Sequence, residues 1–187
     1  MATREERTLA VVERVVAAMS SHGAPTALIG AAAAAVHKFV RATEDIDLAS
    51  YVDPYTTLAL VQKELVAEGF AVKLSEPDAQ DALGGVLTIS GGEFDPVQVV
   101  NFFNPWGGGT ALGREAIESA ISGPLSFVPV VDLAHLIALK LYAGGPKARN
   151  DVAELMERNP DADRKEIVTV CERYALGDAF RAIVSAK

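Results

Sequence analysis

Phe39-Val40-Arg41-Ala42-Thr43-Glu44-Asp45-Ile46-Asp47-Leu48 decides how the rest of the chain is read. A strand places alternate side chains on one face, so Asp45 and Asp47 point the same way while Ile46 and Leu48 point into the core. Two carboxylates held side by side raise each other's pKa and cost stability unless a positive charge sits between them. A divalent cation that prefers oxygen ligands, such as Mg2+, is the usual answer. On its own an Asp-x-Asp pair also fits a solvated turn at a strand end, and the preceding segment is what argues against that.

Ala27-Leu28-Ile29-Gly30 reads as a short buried strand with a glycine exit, and the alanine-rich run Ala31 to Phe39 as a helix that starts at once. A strand, a glycine turn and a helix N-terminus leave backbone N–H groups pointing outward, which suits a phosphate. Arg41 and Thr43 fall between that helix and the acidic strand.

The runs Leu28-Ile29-Gly30-Ala31-Ala32-Ala33 and His37 to Leu48 resemble the signature of the nucleotidyltransferase superfamily, the DNA polymerase beta-like fold. Within it the likeness is greatest to the stand-alone abortive-infection, toxin-like (AbiEii-like) group. That group's pattern of Gly-Gly or Gly-Ser, a small residue, a helix and Arg-x-Thr-x-Asp-Ile-Asp-Leu is met here at every specified position of its second half. The resemblance implies an α/β (α+β) fold, a small mixed β-sheet flanked by helices with a helical C-terminal lobe. It further implies a nucleoside triphosphate substrate and a Mg2+ (or Mn2+) cofactor on Asp45 and Asp47. Gly30, Ala31, Arg41 and Thr43 would then bind nucleotide.

Two positions depart from the pattern. The superfamily usually carries a third carboxylate on the strand beside the acidic one, and in Pro96-Val97-Gln98-Val99-Val100 a glutamine stands there. Glutamine neither activates a hydroxyl nor binds metal tightly. Asp95 could replace the acid only if a bulge at Pro96 re-aimed it. Ala31 stands where many active members have serine or glycine, so a hydroxyl is lost and the backbone N–H kept.

The remainder fits one soluble unit. The chain has 187 residues, 50% hydrophobic and 22% charged, enough for one core and a small appendage, divided here as 1–131 and 132–187. A net charge of -8 and pI near 4.9 oppose broad nucleic-acid binding. With Cys171 as the only thiol there is no intrachain disulfide and no multi-cysteine zinc site. The charged start lacks the apolar run of a signal peptide, and no stretch approaches a membrane span, so a cytoplasmic location is expected.

Glu5 to Ser21 reads as a helix with Leu9, Val12, Val15, Val16 and Met19 on one face, followed by a turn with His22 in solvent. Pro54 opens a second helix carrying Leu58, Leu60, Val61, Leu65 and Val66. Phe70 to Leu74, Val86 to Ser90 and Val97 to Phe103 read as strands, and Ser75 to Gly85 as a polar, acidic loop or short helix rather than a site. Pro105-Trp106-Gly107-Gly108-Gly109 reads as a flexible loop whose tryptophan is a stacking platform for a base, a partner anchor or a lid packed on the core. In Pro129 to Ala143, Asp132 suits a helix N-cap and Lys140 falls on an otherwise apolar face. In the family a lysine here reaches the nucleotide phosphates, and the alternative is a snorkelling side chain. Gly144 to Leu155 resembles a family motif in which Lys147 and Asp151 match. There Gly145 and Ala148 replace an arginine and an aspartate, and Arg149 offers a substitute charge. Helices over 163–170 and 175–184 complete the lobe.

The resemblance thus implies transfer of a nucleoside monophosphate from a nucleoside triphosphate to an acceptor hydroxyl, on a tRNA end, a protein or a small molecule. Asp45, Asp47 and Lys140 would be catalytic, with Asp151 beside the nucleotide. A toxin-like role with a cognate antitoxin as partner is a finer form of this reading. The other reading is a degenerate fold that binds nucleotide or protein without turnover, which Gln98 and Ala31 favour and the retained charged residues oppose.

Overall fold

The computed structural model describes residues 2–107 and 110–185. Five strands, β1 (Thr26–Leu28), β2 (Ile46–Ser50), β3 (Ala71–Ser75), β4 (Val86–Ser90) and β5 (Val97–Asn101), form one sheet in the order β1-β2-β5-β4-β3. β2 runs parallel to β5 and all other neighbours pair antiparallel, so the sheet is mixed. The acidic strand therefore lies inside the sheet, with Leu48 and Ala49 fully buried. Its register sets Asp47 opposite Gln98.

Helix α1 (Arg4–Ser21) starts from a reciprocal cap: the Thr3 side chain accepts from the Glu6 N–H, and the Glu6 carboxylate accepts from the Thr3 N–H at 2.7 Å. It buries Thr8, Val11, Val12, Val15, Ala18 and Met19, while Leu9 turns outward. The face is thus rotated from the expected one, because Thr8 bonds the Arg4 carbonyl and the Asp95 amide and can be buried without loss. His22 is tied rather than free in solvent, its Nε2 lying 2.7 Å from Glu64 on α3 (Ala59–Ala67). Ahead of α3, Pro54–Leu58 form a wide π turn capped by Asp53, which accepts from the Tyr55 and Thr56 amides. Leu58, Val61 and Leu65 are buried there, whereas Leu60 and Val66 are about half exposed.

Helix α2 (Gly30–Val36) is shorter than its alanine content suggests. Lys38 takes a left-handed φ of 66° that ends the helix, and Phe39 drops into the core with the Arg158 guanidinium over its ring. His37 fixes this exit, since Nε2 meets the Val131 carbonyl at 2.8 Å and Asn159 donates to the His37 carbonyl at 2.8 Å.

Four helices follow α4 (Ala111–Glu118): α5 (Leu133–Ala143), α6 (Gly145–Arg158), α7 (Arg164–Arg173) and α8 (Gly177–Val184). Every residue of α5 from Ala134 to Leu141 is buried, Lys140 included. Just before α5, the Leu28 amide donates to the Pro129 carbonyl and the Val131 amide to the Leu28 carbonyl, so this segment extends the β1 edge. Trp106 is 61% exposed and its indole N–H donates to the Tyr55 hydroxyl at 2.9 Å. Gly108 and Gly109 of the glycine run lie outside the described residues. No described helix is long and apolar enough to cross a membrane.

Candidate active site

Gly30 is where the site begins. Its φ of 66° lets the chain leave β1 and enter α2 at once, and a Cβ there would lie 2.1 Å from Oδ2 of Asp47. Backbone and carboxylate are thus packed together by the absence of a side chain. Gly30→Ala is expected to cost roughly 1–3 kcal/mol and to push the Asp47 carboxylate aside. Gly69→Ala, at a φ of 93° with nothing within 4 Å, is the matching control for backbone strain alone. Denaturant midpoints above and below pH 6 should show a pH-dependent difference for Gly30→Ala only.

Asp47 makes no hydrogen bond to another described side chain, and burial followed by the neighbouring Asp45 charge pushes its carboxyl up to about 6. Lys140, Arg41 and Lys147 pull in the other direction. Asp45 is held differently, accepting from the Thr43 hydroxyl at 2.8 Å and from the Gln98 amide at 3.3 Å. The sheet register therefore delivers Gln98 to the flank of the acidic pair, where a third carboxylate was sought. Asp95 is not its replacement, because its carboxylate pairs with Arg4 of α1 at 2.5 Å.

Asp151 on α6 is 3% exposed and binds two cations, Lys140 at 2.6 Å and Arg41 at 3.2 Å. This explains the lysine on an apolar helix face: it is buried because it is paired. Asp151 thus fixes the Lys140 ammonium and the Arg41 guanidinium at the wall of the cavity that all three line.

Gly30, Arg41, Asp47, Lys140 and Asp151 all line one cavity of about 560 Å³. Its far wall is apolar, built from Leu83, Val100, Phe102, Leu136 and Leu139. Thr43 and Asp45 line an adjoining pocket of about 430 Å³, and Lys147 lines both. Ala31 lines neither, and its side chain is 5% exposed. Arg149 is exposed and lines neither cavity. Two contributors were missed by sequence reasoning. Lys147 was noted only as a motif match, and Leu83 lies in a segment read as a loop away from the site. Nothing local marks Leu83, because Asn104 carries it there by donating to the carbonyls of Asp78, Asp81 and Leu83.

The donor set fits a divalent cation. Asp45 and Asp47 are close enough to repel, and the Asp47 carboxylate accepts no hydrogen bond from the described residues, so a cation would relieve a cost already present. Among the described residues no three His, Cys, Asp or Glu side chains gather as a complete protein cage. Mg2+ bound by one or two carboxylates, with water and substrate phosphates completing its shell, needs none.

A mixed sheet with one carboxylate on an inner strand and a second in the bend just before it, beside a glycine turn and with helices bringing cations to them, is the nucleotidyltransferase fold. Several solved structures share it, among them the following. The solution structure of the antibiotic-resistance factor ANT(2'')-Ia has a TM-score of 0.56 and 16% identity, covering 98% of this chain and 96% of that one. The crystal structure of ANT(2'')-Ia with adenylyl-2''-tobramycin has a TM-score of 0.54 and 15% identity, covering 92% and 96%. An antigenic nucleotidyltransferase-like protein from Paracoccidioides brasiliensis has a TM-score of 0.52 and 17% identity, covering 96% and 94%. No family model matches the chain, and no curated protein matches it in sequence.

Proposed function

We propose that this protein is a nucleotidyltransferase that binds a nucleoside triphosphate with a divalent cation and passes the nucleotidyl group to an acceptor oxygen. The observation that carries this reading is convergence: Asp47, Arg41, Lys140 and Asp151 come from separated parts of the chain and face one cavity. The likeness in fold to nucleotidyltransferases supports it.

Asp45 and Asp47 would hold Mg2+ (or Mn2+), which when bound neutralises triphosphate charge and orients the reacting phosphate. Lys140 and Arg41, kept in place by Asp151, present positive charge to the phosphoryl oxygens as charge builds in the transition state. Gly30 leaves room for phosphate to approach beside Asp47. The apolar wall around Leu83, Phe102 and Leu136 receives the uncharged part of a bound molecule and excludes water there. Lys147, at the junction of the two pockets, faces whatever spans them. A cytoplasmic location and a toxin-like role with a cognate antitoxin belong to the finer form of this reading, supported by the match of Arg41 to Leu48 to that group's pattern.

The test is titration of ATP, GTP, CTP and UTP with Mg2+ into wild type and Asp47→Asn. Mg2+-dependent binding of at least one nucleotide, lost in the variant, is expected. If no nucleotide binds, the site assignment fails and the fold alone stands. A second reading, nucleotide binding without turnover, is favoured by one feature: Gln98 stands opposite Asp47 and donates to Asp45.

A further inference from the structure

We infer that the acceptor lies on the open half of the sheet, along a row formed by Gln98, Thr88 and Lys73, and is a small hydroxyl compound carrying an anionic group remote from the reacting oxygen. This rests on the nucleotidyltransferase reading above, names the class of acceptor for it and adds no chemical step.

The strand register builds the row. Asp47 stands opposite Gln98, Gln98 opposite Thr88, and Thr88 opposite Lys73. Residues paired across neighbouring strands point to the same face, so these three continue the face that carries Asp47. Lys73 lies three strand spacings from Asp47, about 14 Å. The opposite face is core: Leu87, Ile89, Val97 and Val99 are fully buried there, and Val72 and Leu74 pack against them. On the row's own face Lys73 is exposed, and Ala71, Ser75 and Ser90 around it are open as well. A molecule bound at the acidic pair can therefore extend over β4 to β3 without displacing protein.

The polar groups of the row are free. The Gln98 amide N–H goes to Asp45 at 3.3 Å, which leaves its carbonyl oxygen, and the Thr88 hydroxyl and Lys73 ammonium have no partner among the described residues. β3, β4 and β5 contain no acidic residue, and Lys73 is their one charge, in a chain of net charge -8. The far end of the row thus attracts an anion. The adjoining pocket instead sets Glu44 and Asp45 against Lys147 alone, and like charge there turns an anion away. No aromatic side chain stands on β3, β4 or β5 to stack a base, which favours a small molecule over an RNA end. The direction of attack agrees. β1, with Gly30 at its exit, flanks β2 on one side and β5 flanks it on the other. Attacking and leaving oxygens lie roughly in line across the reacting phosphorus. With the pyrophosphate end beside Gly30, Lys140 and Arg41, the hydroxyl enters from the β5 side, where the Gln98 carbonyl oxygen accepts its hydrogen bond.

The test uses ω-hydroxyalkyl phosphates, carboxylates and amines of graded chain length, so that the charge and its distance from the hydroxyl vary separately. Each is titrated into isotope-labelled protein saturated with Mg2+ and the α,β-methylene analogue of a nucleoside triphosphate, with backbone amide resonances as the readout. Mg2+-dependent shifts at Asp47 on adding the analogue report on the nucleotide reading first, and their absence with every analogue would bring both readings down. Given those shifts, wild type is expected to bind the longer anions in preference to the amines, with shifts at Gln98, Thr88 and Lys73. The two anion series tell phosphate from carboxylate. Lys73→Gln should weaken the anions about fivefold, the scale of an exposed ion pair, and Lys73→Glu should reverse the preference in favour of amines. Lys63→Glu, at an exposed position on α3, should change neither. A lysine that only keeps the edge strand from pairing with other chains predicts no reversal. Preference of wild type for amines, no reversal in Lys73→Glu, shifts confined to the pocket of Thr43 and Lys147, or binding of an oligoadenylate in place of the small compounds would overturn the assignment and leave the nucleotide reading intact. Binding of none of the compounds would overturn it as well.

Discussion

Asp47→Asn is expected to raise the melting temperature of the metal-free protein at pH 8, and to weaken Mg2+-dependent nucleotide binding by roughly a hundredfold or more. The first effect follows from the carboxyl being pushed from 3.8 to about 6 by burial and by Asp45. The folded protein binds this proton more tightly than the unfolded chain. The stability that Asp47 contributes is therefore present below about pH 4 and lost as pH rises through about 6. The loss amounts to about 3 kcal/mol at most, or about 6–12 °C for a chain of this size. Asparagine never ionises, so the variant should outlast wild type at pH 8 and the two should converge near pH 4. Added Mg2+ should close the gap at pH 8 by stabilising wild type alone, since only that protein has the ligand. Thermal melts over pH 4–8 with and without Mg2+ decide the matter. A gap that ignores pH, or equal Mg2+ stabilisation of both proteins, would remove Asp47 from the cation site.

Asp151→Ala is expected to be the most destabilising single change in the site. It leaves the Lys140 ammonium buried with no acceptor and frees Arg41, and breaking such a pair from one side costs about 3–5 kcal/mol. Lys140→Met combined with Asp151→Leu should recover most of that loss, because the uncompensated charge goes and the space stays filled. Denaturant unfolding of wild type, both single variants and the double variant measures the coupling. Additive losses would show that the pair is not what stabilises α5 against α6. A second readout is anion rescue: tripolyphosphate should stabilise Asp151→Ala more than wild type, since it supplies the negative charge that Lys140 and Arg41 have lost.

What could be read in the sequence was local chemistry with a period. The alternation around Asp45 and Asp47, the glycine before an alanine helix, and the lysine out of place among Leu136, Ile137 and Leu141 each carry their meaning within a few residues. The mixed sheet flanked by helices followed from these through resemblance, and the structure has that architecture. Less legible were features set by distant partners. Propensity extends α2 to Phe39, but His37 finds the Val131 carbonyl and the helix stops at Val36. On α1 the expected Val12, Val15 and Met19 are buried, but Thr8 takes the place expected for Leu9, because it is bonded to the chain before β5. Leu83 reaches the cavity because Asn104, Tyr142 and Asn101 tie its segment down, and Lys147 borders both pockets because α6 is docked by the Asp151 pairs and by buried Val152, Leu155 and Met156. No window of neighbouring residues contains those facts.

The parallel pairing of β2 with β5 also orders events in time. β3 and β4 close over residues 76–85, and β4 and β5 over residues 91–96, so both hairpins can form early. β2 must instead find a partner that begins at Val97, across a much longer stretch of chain, and ordering such a stretch costs entropy before the contact repays it. The acidic strand is thus among the later pieces to dock. Until it does, β5 presents a bare, apolar edge to other chains. Newly made protein is most exposed to self-association in that interval, and conditions that hasten the docking of β2 will decide how much of it escapes.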